Sequence, residues 1–246
     1  MDRMIFLAMN AAKQNLRAQN IAMNNLANTS TTGFKADFQA ARAMPVFGDG
    51  HPSRVYSMVE RPGIDFTHGA MVTTGNDMDI AVDGEGWIAV QAADGTEAYT
   101  RSGDLELTAN GILQTRSGHP VIGNGGLITL PQNQAMVIGV DGTISIRPLG
   151  QEANTLAQVE RVRLVNPPKD MLIKGEDGLF RMRDGAQADT DAFVRVKQGA
   201  LEASNVNAVE QLTQIITLAR QYEMSIKAME TSQRIDEASV QQMRLN

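Results

Sequence analysis

Both ends of this 246-residue sequence carry apolar residues at steps of three and four, whereas the middle carries them at steps of two. Those periods belong to helices and strands respectively, so one chain has to build both. From Met1 to about Asn28 there is neither glycine nor proline. Within it Ile5, Met9, Ala12, Leu16, Met23 and Leu26 follow at steps of 4, 3, 4, 7 and 3, with polar Gln19 at the skipped position. This is a heptad stripe on an otherwise polar helix. Asn24, Asn25 and Asn28, then Thr29 to Gly33, are expected to end it, because Asn and Gly accept left-handed backbone.

The last zone, about Val206 to Met243, repeats the pattern. Leu212, Ile215, Ala219, Tyr222, Ile226, Met229, Val240 and Met243 share one register, interrupted by Gln233 and Asp236. Ser204 or Asn205 is expected to cap the start of this helix.

Between about Asn76 and Lys197 the alternation is that of strands. Trp87 to Val90 and Ala98 to Thr100 flank Asp94-Gly95; Leu105 to Thr108 and Ile112 to Gln114 flank Asn110-Gly111; Met136 to Val140 and Thr143 to Ile146 flank Asp141-Gly142. Asn-Gly and Asp-Gly between alternating runs are hairpin signals. Val159 to Val165, Leu179 to Met182 and Phe193 to Val196 add further strands, so an antiparallel sandwich or barrel-like domain is expected. The stretch 36–75 fits neither period. It contains Pro45, Gly48, Gly50, Pro52, Pro62, Gly63 and Gly69, and reads as extended connecting chain with room for one hairpin.

The expected fold class is therefore α+β: N- and C-terminal coiled-coil-like helices pairing with each other, with a central antiparallel β domain. The expected division is an N-terminal assembly helix and turn (1–35), an extended connecting segment (36–75), the β domain (76–198) and a C-terminal assembly helix (199–246). The two stripes share a period, so they are expected to pair. At about 1.5 Å per residue the second helix spans ~55 Å, longer than a sheet of this size can cover. The uncovered faces need neighbouring subunits. The expected assembly interface is Ile5, Met9, Ala12, Leu16, Met23, Leu26 and Asn28 with Leu212, Ile215, Ala219, Tyr222, Ile226, Met229, Val240 and Met243.

Other chemistry is thinly represented. Net charge is −6 and no basic tract stands out, which argues against nucleic acid as a partner. With no cysteine, disulfides, thiolate metal sites and cysteine nucleophiles are excluded together. Asp77, Asp79, Asp83 and Glu85 cluster without calcium-loop spacing. His51, His68 and His119 stand apart from one another. Gly123-Asn124-Gly125-Gly126 precedes a β run instead of a helix, so it lacks a phosphate cradle. Trp87, the only tryptophan, is expected in the core. No catalytic residue, metal, cofactor or small-molecule substrate is expected. No apolar run approaches a membrane span, and Met4 to Met9 is too short for a secretory leader; the expected location is cytoplasmic, or reached by export without cleavage.

Four blocks carry a family resemblance across nearly the whole chain. Asn24-Asn25-Leu26-Ala27-Asn28 with Thr32-Gly33-Phe34-Lys35, the segment Gly75 to Trp87, Tyr99-Thr100-Arg101-Ser102-Gly103, and Gly199 to Asn207 are similar, in that order, to motifs of the bacterial flagellar rod and hook axial proteins. Met1 to Phe6 and the modest length resemble the proximal-rod type; Ala219-Arg220-Gln221-Tyr222-Glu223 departs from the commoner block by Ala for Gln. The resemblance implies a structural, non-enzymatic subunit of the periplasmic rod of the basal body. Its terminal helices would form an inner tube around an export channel, and its β domain an outer layer. Its partners would be copies of itself, other rod proteins and the flagellar type III export apparatus. Three readings compete with it: a distal-rod member of the same family, a periplasmic carbohydrate-binding or enzymatic β module with helical oligomerisation ends, and a membrane-surface or pore-forming coiled coil. The last needs a basic helix face, but residues 200–246 carry four basic and six acidic side chains.

Overall fold

The computed structural model describes residues 3–38, 41–45, 55–59, 63–131, 133–148 and 157–244. His51 and the Gly48, Gly50, Pro52 and Pro62 positions lie outside the described residues, as does the side chain of Met243. The chain forms two units. One holds Met1–Thr29, Ala36–Asp65 and Val206–Asn246, the other Ser30–Lys35 and Phe66–Asn205.

The first unit is built on helices α1 (Arg3–Ala27) and α2 (Ala208–Arg244), which pack along each other. Burial follows the heptad on both. In α1 the covered positions run Ala8, Ala12, Asn15, Gln19, Ala22, Leu26; in α2 they run Gln211, Ile215, Leu218, Tyr222, Ser225, Met229, Ser232, Asp236, Ser239. Small and polar side chains thus form most of the covered seam. Within 36–65 the chain makes two antiparallel pairings. Asp37–Phe38 pairs with Gly63–Ile64, and the hairpin of Ala41–Pro45 with Val55–Val59 packs on α1.

The helix termini differ from expectation. Among the described residues no residue other than glycine has a positive φ, so none of the asparagines closes α1 in a left-handed turn. Asn25 instead lies within the helix and is buried. Its Nδ2 donates to the Asp37 carbonyl at 2.7 Å, and its Oδ1 accepts from the Asp37 N–H at 3.0 Å. The left-handed residue is Gly33, at φ +66°. At the start of α2 the cap is Asn207, not Ser204 or Asn205: its Oδ1 accepts from the Val209 N–H at 3.0 Å.

Among its described residues the second unit is antiparallel β, apart from one 3-10 turn at Lys169–Met171. Five strands lie in the order Leu164–Val165, Trp87–Gln91, Glu97–Thr100, Phe180–Met182, Leu172–Lys174. Ile88 pairs with Thr100 and Ala89 with Tyr99 across the Asp94-Gly95 hairpin. The Asn110-Gly111 hairpin joins Leu105–Leu107 to Leu113–Thr115. Asn133–Ile138, Thr143–Pro148 and Ala157–Arg161 form a meander through Asp141-Gly142. The run Val159 to Val165 is divided between this meander and the larger sheet, and Phe193 sits on an exposed turn before the strand Arg195–Gln198. One core of Ile80, Ile88, Leu113, Ile128, Ile144 and Leu164, with their neighbours, serves the pieces in common. Trp87 is buried against Phe180 and edge-on to Phe66.

Candidate functional site

Two features stand out, one in each unit. The first is the outer face of the helical pair. Of the expected interface positions in α1, Ala12 is buried, Ile5, Leu26 and Asn28 are half-buried, and Met9, Leu16 and Met23 are 52%, 46% and 46% exposed. Phe6 is exposed as well. In α2, Ile215, Ala219, Tyr222, Ile226 and Met229 are half-buried, whereas Leu212 and Val240 face outward. Val209, Ile216, Met224 and Ile235, which the reading of the sequence passed over, are also exposed. Large apolar side chains left in water along both helices make an unfinished surface.

The second is a buried charge cluster that joins Lys35, Arg101 and Glu202. Each sits at most about 2% exposed. Lys35 Nζ lies 2.7 Å from Glu202 Oε1, and Arg101 Nη1 lies 2.9 Å from Glu202 Oε2. The Gly69 N–H donates to Oε1 at 3.0 Å. Lys35 Nζ also donates to the Thr67 carbonyl at 2.8 Å, and Arg101 Nη2 to the Gly84 carbonyl at 2.7 Å. The guanidinium lies over the Trp87 ring, 5.4 Å from its centroid. Burial by itself pushes the Glu202 carboxyl up. The Lys35 hydrogen bond, the charges of Arg101 and Lys35 and the Gly69 N–H outweigh it, and hold Glu202 below the ordinary glutamate value.

Around this cluster the chain just after α1 runs beside the chain just before α2. The Gly33 N–H donates to the Glu202 carbonyl at 2.7 Å, and the Asn205 N–H to the Phe34 carbonyl at 3.3 Å. Lys174 lies 3.9 Å from the Phe34 ring centroid and donates to the Lys35 carbonyl at 2.8 Å. A Cβ on Gly33 would come within 2.2 Å of the Arg101 carbonyl carbon, so this approach needs glycine for space as well as for φ. Each of the four blocks singled out in the sequence contributes here: Lys35, Gly84 with Trp87, Arg101, and Glu202. The cluster binds backbone to backbone, which is structural chemistry.

Of the remaining candidates, His68 lies between two carboxylates, its Nε2 3.8 Å from Glu85 Oε1 and its Nδ1 3.8 Å from Glu202 Oε1. Asp79 is buried and accepts from Asn76 Nδ2 at 3.0 Å, Asp83 is exposed, and Glu85 pairs with Lys169 at 2.8 Å. Among the described residues no group of three or more His, Cys, Asp or Glu is placed to hold a metal. No helix among them is long and apolar enough to cross a membrane.

Three family models match successive parts of the chain. They are a flagella basal body rod protein model over residues 6–35, a flagellar hook protein FlgE/F/G D1 domain over 81–146, and a flagellar basal body rod FlgEFG protein C-terminal model over 197–243. The chain is 43% identical to the flagellar basal-body rod protein FlgF of Escherichia coli (strain K12), over 93% of each sequence. It is 33% identical to the FlgF of Caulobacter vibrioides, over 99% of this chain and 98% of that one. With FlgG of Agrobacterium fabrum the identity is 32%, over 91% and 92%. With likeness of that degree running from end to end, the chain belongs to the FlgF family of flagellar basal-body rod proteins.

Proposed function

We propose that this protein is built into the proximal rod through α1 and α2, whose outward apolar faces meet copies of itself and other rod proteins. As a member of its family it is a structural component of the flagellar basal body and not an enzyme. In this reading the helical ends (1–35 and 199–246) form a coiled-coil-like inner layer around the export channel. The β domain (76–198) forms the outer layer, and 36–75 connects them. The outward members of the expected set are Met9, Leu16, Met23, Leu212 and Val240, with Ile5, Asn28, Ala219 and Ile226 half-buried, whereas Ala12, Leu26, Ile215, Tyr222 and Met229 lie on the covered seam of the helical pair. The subunit leaves the cytoplasm through the flagellar type III apparatus.

The observation that carries this reading is the exposure of Met9, Leu16 and Met23, one heptad apart, on a helix whose other face is already covered. The test is Leu16→Asp. A charge on an exposed position changes the stability of the free subunit by no more than about 0.5 kcal/mol. The same charge, desolvated in an interface, costs several-fold more and should abolish incorporation. Basal bodies isolated from cells carrying only this variant should lack the subunit, and the cells should not swim. Normal incorporation and motility would overturn the proposal.

A further inference from the structure

Two Asn-Gly dipeptides stand in this sequence, at Asn110-Gly111 and Asn124-Gly125. Asparagine before glycine is the pair best suited to attack on its own side chain, because no Cβ shields the following N–H. The fold treats the two pairs differently. Gly111 is clamped: its N–H donates to the Thr108 carbonyl at 2.9 Å, and its carbonyl accepts from the Leu130 N–H at 2.8 Å. Asn124 and Gly125 form the exposed tip of the hairpin between Ile122–Gly123 and Gly126–Leu127. Among the described residues neither the Asn124 carboxamide nor the Gly125 N–H has a hydrogen-bond partner. The tip is nevertheless held in place. The Asn124 N–H donates to the Arg161 carbonyl at 3.2 Å, and the Arg163 N–H to the Ile122 carbonyl at 2.9 Å. Glu160 comes from the same strand. Its Oε1 accepts from the Arg161 N–H at 3.0 Å, and its Oε2 would lie 2.9 Å from a Cβ on Gly125, so the carboxylate flanks the Gly125 peptide.

We propose that Asn124 is a site of self-modification, at which the Gly125 nitrogen attacks the Asn124 side chain with Glu160 as the base. The free N–H, the free carboxamide and the flanking carboxylate are the three groups that step requires, already side by side. The Gly125 nitrogen bonds to Cγ, the Cγ–Nδ2 bond breaks, and ammonia leaves with the proton that Glu160 takes from the Gly125 N–H. Water then adds to the cyclic imide and opens it at either carbonyl, giving aspartate or isoaspartate. One water enters and one ammonia leaves; nothing is oxidised or reduced. The product sets a second carboxylate beside Glu160 and, as isoaspartate, puts an extra methylene into the backbone of the turn. Repulsion between the two carboxylates loosens the hold of the tip on Ala157–Arg161, a strand at the edge of its sheet. A subunit thus carries a chemical record of its age in its β unit.

The test is incubation of the intact folded chain in heavy-oxygen water, with peptide mapping over time. Label should enter the peptide holding Asn124, as aspartate and isoaspartate, about tenfold faster than the peptide holding Asn110, the factor set by opening the hydrogen bonds that clamp Gly111. In urea the two rates should converge. Glu160→Gln should slow the Asn124 reaction several-fold in the folded chain and leave its rate in urea unchanged. Gly125 has no left-handed φ, so Gly125→Ala is accommodated there and should suppress the reaction in both conditions. Equal labelling of Asn110 and Asn124 in the folded chain, or no labelling of Asn124, overturns the proposal. An unchanged rate in folded Glu160→Gln overturns the part given to Glu160.

Discussion

In the β unit Ile88, Leu113, Ile128 and Ile144 are inside, whereas along α1 and α2 the inside is Ala12, Ala22 and Ser232, and Phe6, Met9, Leu16 and Ile216 are out in water. The two regions use the hydrophobic effect in opposite directions. The β unit spends its large apolar area on itself, at about 25 cal/mol per Å², and so is complete as a single chain. Among its described residues the helical pair fully buries only small or polar side chains, half-covers Leu26, Ile215, Leu218, Tyr222 and Met229, and leaves Phe6, Met9, Leu16 and Ile216 outside. If the proposed assembly holds, a region that folds by itself and a region completed by neighbours differ in which residue sizes they leave exposed.

Substitutions can sharpen or break that contrast. The largest effect is expected at Glu202→Leu, which strands Lys35 and Arg101 as uncompensated charges. It should cost about 3–5 kcal/mol in urea melts of the monomer. The same group gives a pH signature. Its folded pKa is depressed, so its contribution is complete above the unfolded glutamate value and is lost as pH falls through the folded one. The acid limb of the stability curve should flatten in Glu202→Gln, and an unchanged limb would show that Glu202 is not the group responsible. Next comes Leu113→Ala, which opens a cavity among Ile128, Val121 and their neighbours and should cost about 2–5 kcal/mol by the same melts. If Leu113→Ala were instead silent, the β unit would not be the self-sufficient region. Asn207→Ala removes the α2 cap and should cost about 1 kcal/mol, read as faster amide exchange over Val209 and Glu210. Smallest in the free subunit is Leu16→Asp, within about 0.5 kcal/mol, although the proposed interface makes it the change expected to harm incorporation most. That reversal of rank between monomer and rod is the sharpest form of the comparison.

What the sequence showed follows from how local the determinants are. The hairpins at Asp94-Gly95, Asn110-Gly111 and Asp141-Gly142 were legible because two residues set the turn and the flanking alternation sets the faces. The helices were legible from their period, and their pairing from the shared step. Which positions are covered was less so. Bulk draws attention to Met9, Leu16 and Met23, whereas close packing of two helices covers Ala8, Ala12 and Ala22. The α2 cap was misplaced by two or three residues, because Ser204, Asn205 and Asn207 are all able cappers and only the fold turns Asn205 to Thr67, leaving Asn207 at the helix. The charge cluster was invisible, since Lys35, Arg101 and Glu202 are far apart in sequence. A signal did exist: each is a lone charge within one of the blocks that resemble the axial family.

The carboxamide of Asn25 has a consequence for how the ladder beside α1 ends. The strand Asp37–Phe38 is paired with Gly63–Ile64 on one side, and on the other a side chain from the helix takes both the N–H and the C=O of Asp37. An open strand edge invites pairing with stray chains. Here the last rung is stoppered by a single amide that offers no continuing backbone, so the growth of a sheet from one subunit into the next is blunted at Asp37.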